Sequence, residues 1–592
     1  YLIVMMYGGV PIIDNVQNPI IGDSEGIHLV VPRSSTKECI DFICKDLQTA
    51  ADYLPARWES ENKNFGRITS GAALALKGRV ELLYASPLFN RADDVTRWET
   101  AYQTNLAAVK KLEEGNFGLA YENNSGKNAA GWGKIFSDYI GSEGGGGTVS
   151  EAVLVTLYNN VSPAEHLQLE KWNGWEHSLR PANAGGGGGM TPTAEMVDLF
   201  PMADGKKPND MNGSYDYNQE LFFLNRDPRF YRTFAFPGVE WKFDSDDLKS
   251  FGEKGQLPYG INGYTTGNNY KLWNYCWYDN VDDRNSNSKS GYAADCLGTK
   301  NTGIYLRKRT DDLALNSNPL YIFEKTSGNG FRQSAAPYME IRFAEVLLNY
   351  AEAACGANHF DEAVNALKRI RKRVGYTDNC GLDPAIFNDR AKLFEAILYE
   401  RQIELAYEGK RFHDVRRWML FDGGVGQEAL KSTWKLTGFN GNTCNYLGVE
   451  PLNGQRRHRI EVYAKNFIAA KSNNVYNEDK TIKETYDELW NKRPTALSLT
   501  EDITCTESAD DEITYADAKV KALAQFYQEH FKRKNLSTDG NDETILPTFK
   551  PYYYILGFKK NAMQNNVSLE QNIGWGDYWR GGADGTFDPL AE

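Results

Sequence analysis

No window of this 592-residue chain offers the roughly eighteen uninterrupted apolar residues that a membrane-spanning helix needs, so none is predicted. Basic charge is in the minority, 66 Lys and Arg against 79 Asp and Glu. The net charge of -13 argues against a protein that tracks nucleic-acid phosphates and disfavours docking on an anionic lipid surface. Cysteine is scarce. The eight, at 39, 44, 276, 296, 355, 380, 444 and 505, show no C-x-x-C pair and no Cys/His spacing for zinc, and they are too sparse for a disulfide scaffold. An oxidising compartment permits a few bridges; Cys276 with Cys296 is the expected pair, although spacing fixes no connectivity. The seven histidines have no ligand spacing, and neither H-E-x-x-H nor G-x-S-x-G occurs. The glycine runs at 144–147 and 185–189 lack a following Lys-Ser or Lys-Thr, which rules out a phosphate loop. No cofactor or metal is therefore predicted. Asp279–Gly291 is rich in oxygen ligands but has neither the glycine nor the terminal glutamate of a calcium loop. Paired carboxylates for glycoside hydrolysis stay open, since they need be close only in space. The opening YLIVMMYGGVPII lacks the basic region of a signal peptide; it reads as the tail of a helix beginning before Tyr1, where any export signal is expected.

What the chain has is aromatic side chains, 13% of residues including 13 Trp and 34 Tyr. So many rings in a polar protein leave some near the surface as ligand platforms, though most serve a core. It also has helical hairpins. Residues 337–376 place Ile341, Ala344, Leu348 and Ala351, then Ala363, Ala366, Leu367 and Ile370, at three- and four-residue spacing, with GANHF as the turn between two predicted helices. Phe360-Asp361-Glu362-Ala363 and Ala351 fall where a tetratricopeptide repeat has its aromatic-x-x-Ala entry and its small residue. Trp98-Glu99-Thr100-Ala101 with Ala108 is a looser copy. An ordinary helical hairpin is the alternative. Further helices are predicted at 34–54, capped by Ser34-Ser35-Thr36 and stopped by Pro55, and from Thr69 or Ser70 to Pro87. Others are expected at 97–114, 388–420 and 515–533. From about 115 to 335 helical pattern nearly vanishes, leaving a loop-rich stretch with short strands at Ala152–Leu157 and Arg229–Phe236. An exposed acidic excursion is expected at 470–512, and a final strand or extended piece at 551–575.

Several ordered motifs carry a resemblance: Tyr7-Gly8-Gly9-Val10-Pro11; Gly66-Arg67-Ile68-Thr69 leading into Ala72–Arg79; Arg342–Ala353; Glu400–Arg411 with Asp414–Trp418; and the closing Gln571-Asn572-Ile573-Gly574-Trp575. In these the chain resembles the SusD/RagB family of Bacteroidetes outer-membrane nutrient-binding lipoproteins. The resemblance implies a mainly α fold, a tetratricopeptide-like helical-hairpin scaffold with a large irregular lobe carrying short strands. It also implies a lipidated N-terminal cysteine outside this sequence, a place at the cell surface on the outer membrane, and a SusC-like TonB-dependent transporter barrel as partner. The implied ligand is oligosaccharide or, in some branches, peptide, bound without catalysis. On this reading 1–592 is one unit: scaffold at 1–115 and 337–420, ligand-binding lobe at 116–336, and a C-terminal region at 421–592 with an extra insertion. Two departures stand out. The proline-rich phrase before the last motif reads Leu556-Gly557-Phe558-Lys559, and 421–550 is longer than the family pattern.

A sugar offers apolar C–H faces and rings of hydroxyls, so its site stacks Trp or Tyr beneath it and surrounds it with hydrogen-bonding groups. YTTGNNYKLWNYCWYDNVDD at 264–283 has that mixture: Trp273, Tyr275 and Trp277 alternate and would share a face in extended backbone, aided by Asn268, Asn274 and Asp279. The alternative is a strand burying those rings. A second candidate sets Trp172 and Trp175 about an Asn-Gly turn beside Glu176, His177 and Arg180, with aromatic loop packing as its alternative. The charged run Glu400–Arg417 reads as ion pairing within the scaffold rather than acid/base chemistry.

Overall fold

The structure is a computed structural model that describes residues 1–16, 31–59, 61–137, 149–159, 171–181, 186–187, 189–241, 270–275, 303–310, 331–332, 334–421, 458–465, 475–476, 482–484, 489, 492–499, 518–537 and 549–591. Its scaffold consists of α1 (Thr36–Tyr53), α2 (Ser70–Ala85), α3 (Val95–Glu114), α4 (Phe343–Gly356), α5 (Phe360–Arg373), α6 (Arg390–Glu404) and α7 (Arg411–Arg417). Local chemistry sets the ends. Ser35 and Glu38 form a reciprocal capping box at the start of α1, and the Thr69 hydroxyl accepts from Ala72 N–H at 3.2 Å to open α2. Pro55 and Pro87 follow the last turns of α1 and α2.

Helix α2 packs between α1 and α3, α3 packs on α4, and α4 packs on both α5 and α6. Small residues permit this close stacking. A Cβ at Gly78 would lie 2.4 Å from Asn105 Oδ1, and one at Gly356 would lie 2.2 Å from the Trp98 ring. Ala101, Ala108, Ala351 and Ala363, the small positions of the repeat pattern, are all fully buried. The fold is thus mainly α, with helical hairpins stacked as in tetratricopeptide repeats.

Several predicted elements differ in kind. Residues Tyr338–Arg342 form a strand that pairs antiparallel with β1, Ala152–Thr156, instead of the first turn of a helix. Met339 and Ile341 are buried while Tyr338 and Glu340 are half-exposed, an alternation of period two. The stretch 388–420 is two helices, because Tyr407 (φ 59°) and Gly409 (φ 77°) adopt left-handed backbone between α6 and α7. Residues Pro228–Thr233 are a helical turn capped by Asp227, so only Phe234–Ala235 of the predicted strand is extended. The helix Ala518–His530 hands over to a strand, Phe531–Ser537, paired with His458–Ala464. Near the C-terminus Pro551–Tyr554 is a 3₁₀ turn and Lys560–Asn565 a short helix, in place of an extended piece.

Two large hydrophobic cores result. One lies among the scaffold helices; the other gathers the rings of the irregular lobe, among them Phe222, Phe230, Phe234 and Trp241. Helix α6 serves both, giving Leu393, Phe394, Ile397 and Leu398 to the first and Tyr399 and Ile403 to the second.

Buried charge joins them. Arg229 pairs with Asp227 (2.8 Å) and Glu404 (2.8 Å), and it also reaches Glu400. Arg342 pairs with Glu151 (2.7 Å), Glu404 (2.8 Å) and Glu408 (2.7 Å). Arg373 bonds Glu151 and Glu404, and Lys308 bonds Glu408 at 2.6 Å. Burial alone would raise the Glu404 carboxyl, but Arg373, Arg342 and Arg229 hold it well below its ordinary value. A second cluster locks Arg417 to Glu352 and Asp414, with Arg401 on Asp414 at 3.1 Å. The charged run at 400–417 is therefore ion-paired, as its spacing predicts, and most of its partners come from outside the helix.

Candidate functional site

The strand Tyr270–Leu272, paired with Val239–Trp241, leads into Trp273, Asn274 and Tyr275. All three are interior: Trp273 is 3% exposed and Tyr275 0%. Trp273 packs edge-on against Phe526 (5.7 Å between centroids), Tyr275 lies 4.7 Å from Phe531, and Arg493 donates to the Tyr275 hydroxyl at 3.1 Å. Asn274 donates to the Tyr305 hydroxyl at 2.9 Å. Tyr275 N–H bonds back to Trp273 C=O at 3.0 Å, a tight turn that ends the extended alternation. A stacking platform needs an open ring face, and Trp273 and Tyr275 have none: both rings are buried, on the turn that follows the strand and not on the strand itself. Asn268, Trp277 and Asp279 lie outside the described residues, as do Cys276, Cys296 and the stretch 280–291.

Of the second predicted cluster, Trp172, Trp175 and His177 stay half-exposed. Asn173 fixes its turn by donating to Ala336 O (2.8 Å) and accepting Trp175 N–H (3.1 Å). The Trp175 indole donates to Lys308 O at 3.0 Å, and the Arg309 guanidinium lies 3.9 Å over its ring. Trp172 and Trp175 are half-buried, and Gly174 between them faces open space. Behind them Glu176 and Arg180 pair at 2.7 Å and are fully buried, with Arg180 4.2 Å over Phe331. These two hold the loop from within. Burial and, secondarily, Arg332 lower the His177 pKa, and Arg332 donates to its Nε2 at 3.2 Å. His177 is thus a neutral acceptor at the rim. The structure brings together Trp172, Trp175 and His177 and adds Arg309 and Arg332. No motif marks those arginines in the sequence, because they arrive from more than 130 residues downstream.

A neighbouring groove carries a further set that sequence reasoning missed as a site. Arg57, Trp58, Phe65, Arg67, Phe117 and Val155 line a small open cleft. Arg67 lies 3.9 Å over the Trp58 ring, whose N–H donates to Ile68 O at 2.8 Å. Gly66 (φ +85°) needs the freedom of glycine, and a Cβ there would touch Leu157 at 3.0 Å. The signal was the Gly66-Arg67-Ile68-Thr69 motif, readable as a family mark but not as a surface. Strand Ala152–Thr156 links the groove to the tryptophan loop: Val155 lines the groove, and Asn159, four residues on, pairs with Lys171 next to Trp172 (2.9 and 3.1 Å). Four residues span at most about 14 Å. An indole with guanidinium groups in the groove, and indoles, guanidinium groups and a neutral imidazole at the loop, suit stacking and hydrogen bonding.

Comparison with known proteins agrees with the architecture. Residues 1–82 match a family described as starch-binding, associating with outer membrane. A solved SusD-like protein from Bacteroides fragilis superposes with a TM-score of 0.55 at 22% identity, covering 97% of this chain and 76% of that one. The structure of BT4246 gives a TM-score of 0.56 at 19% identity, covering 96% and 81%. At these identities the likeness is one of fold. SusD-like protein P2 of Formosa agariphila is 34% identical over 131 residues, 20% of this chain and 25% of the relative, so the match spans a quarter of that protein's length. Residues 133–575 match the family model described as the SusD family, well over half of the sequence, and the chain belongs to that family.

Proposed function

We propose that this protein is a non-catalytic surface lipoprotein of the outer membrane that captures oligosaccharide and delivers it to a SusC-like TonB-dependent transporter. The observation that carries the reading is the pair of half-open indole–guanidinium stacks, Arg67 over Trp58 in the groove and Arg309 over Trp175 in the tryptophan loop, on a scaffold of the SusD family. The starch-binding description of the family matched at residues 1–82 supports a neutral glycan as ligand. The buried carboxylates Glu404, Glu408 and Asp414 are each tied to arginine and held below their ordinary pKa, so none of these three is available as the protonated acid that glycoside hydrolysis needs. Membership of the SusD family supports the lipid anchor and the barrel partner.

Calorimetry against maltooligosaccharides, xylooligosaccharides and laminarin fragments tests the reading. Binding without product release is expected, and Trp172→Ala with Trp175→Ala should weaken it by about 1–3 kcal/mol per ring that carries a sugar. Absence of binding across the panel, or a co-purifying peptide in place of sugar, would overturn it.

A further inference from the structure

The loop at 577–582 displays rings that neither core uses. Tyr578 and Trp579 are exposed, Trp579 by 48%, and they meet each other edge-on at 4.9 Å between centroids. Two side chains this large, left open beside Arg580, call for an explanation.

Their support is rigid. Asp577 N–H donates to Ala583 O and Gly582 N–H to Asp577 O, both at 2.8 Å, closing a six-residue loop. Below it Gly585 N–H bonds Trp575 O (2.9 Å), and the Asp584 carboxylate accepts Gly574 N–H (2.7 Å). Gly581 (φ +66°) and Gly582 (φ +87°) make the return in left-handed backbone, and a side chain at either would meet only open space. The indole itself is aimed: Trp579 N–H donates to Met563 O at 3.2 Å, and its backbone N–H is held by Asp577 at 2.8 Å. Tyr578 is fixed through its hydroxyl, which accepts from Gln564 at 3.0 Å, while the Lys560 ammonium lies 4.9 Å over its ring.

We infer that this loop is a second, independent sugar-contact surface, in which Trp579 stacks on a neutral pyranose while Lys560 and Arg580 supply hydrogen-bond donors at its rim. Stacking demands a preorganised ring whose own polar atom is already satisfied, and Trp579 meets that condition. Charged and polar residues surround the two rings closely, which fits a hydroxyl-edged ligand better than the broad dry centre of a protein interface. The inference rests on the carbohydrate reading of the protein and adds to it. A second weak contact on one chain raises the hold on a long polymer far more than on a short oligomer.

The test uses the full chain with Trp579→Ala and Trp579→Phe. Affinity electrophoresis in amylopectin, xylan or laminarin, whichever retards the wild type, should show retardation reduced about three- to tenfold by Trp579→Ala and partly restored by Trp579→Phe. Calorimetric affinity for the matching tetrasaccharide at the Trp172–Trp175 site should stay unchanged, which also shows that the variant is folded. Undiminished retardation by Trp579→Ala in a protein whose Trp172→Ala variant loses binding would overturn the inference and leave the carbohydrate reading standing. Loss of binding to a membrane protein with polymer retardation intact would overturn it in favour of a docking role. Failure of the wild type to bind any of the three polymers would overturn both.

Discussion

At the scale of single residues, Glu404 has the most to lose. It is fully buried and meets Arg229, Arg342 and Arg373, and it accepts the Trp132 indole N–H at 2.9 Å. Removing one partner from a buried ionic cluster leaves the others uncompensated, a loss of about 3–5 kcal/mol. Glu404→Ala should therefore lower the urea midpoint strongly, whereas an exposed pair such as Lys37–Asp41 should contribute under about 1 kcal/mol. Equal midpoints for both variants would refute the difference. Sequence showed that the run from Glu400 to Arg417 is ion-paired, since its spacing places charges on common helix faces. It could not show with what: Glu151, Arg229 and Arg342 are far along the chain, and nothing local in them announces the meeting. The same limit explains the site residues. Trp273 and Tyr275 have the composition of a sugar platform, but whether a ring is open depends on what packs over it, here Phe526, Phe531 and Arg493 from more than 200 residues away.

At the scale of elements, the helices were legible because their stop signals are local. The reciprocal box of Ser35 and Glu38 satisfies backbone donors that the first turn of α1 would otherwise leave to water. Ser35→Ala should destabilise the protein by about 1 kcal/mol, read as a small shift in denaturant midpoint with unchanged slope, and Ser35→Asp should recover most of it. No shift would place the start of α1 under tertiary control instead. The strand Tyr338–Arg342 was misread for a related reason. It abuts a helix directly, so Ile341 satisfies helical spacing with Ala344 and Leu348 as well as strand alternation with Met339. The pairing with Ala152–Thr156 decides between them, and that partner lies nearly 200 residues earlier. Short helices at Ala130–Ser137 and Ala194–Leu199 escaped notice because one or two turns carry too little period to register among glycine, asparagine and aspartate.

Across the whole molecule, the two cores are coupled through α6 and the charges around it, and this coupling has a pH signature. Glu408 is buried; that burial would raise its pKa, but Arg342 and Lys308 bring it down to about 2. In the unfolded chain the same carboxyl titrates near its ordinary value of about 4.3. Between those two pH values the unfolded state binds the extra proton, so stability rises with pH there. The contribution is fully present above about pH 4.5 and is lost as pH falls toward 2, on the order of 3 kcal/mol for this group alone. Glu408→Gln should be less stable than wild type at pH 7, and the gap should narrow steadily in urea titrations run at pH 5, 4 and 3. Parallel acid limbs for the two proteins would show that Glu408 keeps an ordinary pKa in the folded state. Because the pair Arg342–Glu408 ties the strand at the scaffold seam to the turn after α6, its protonation loosens the scaffold and the lobe together. One cooperative acid transition is therefore expected, with tryptophan fluorescence, to which Trp98 and Trp418 of the scaffold and Trp241 and Trp273 of the lobe all contribute, changing in a single step at the same pH as helical circular dichroism.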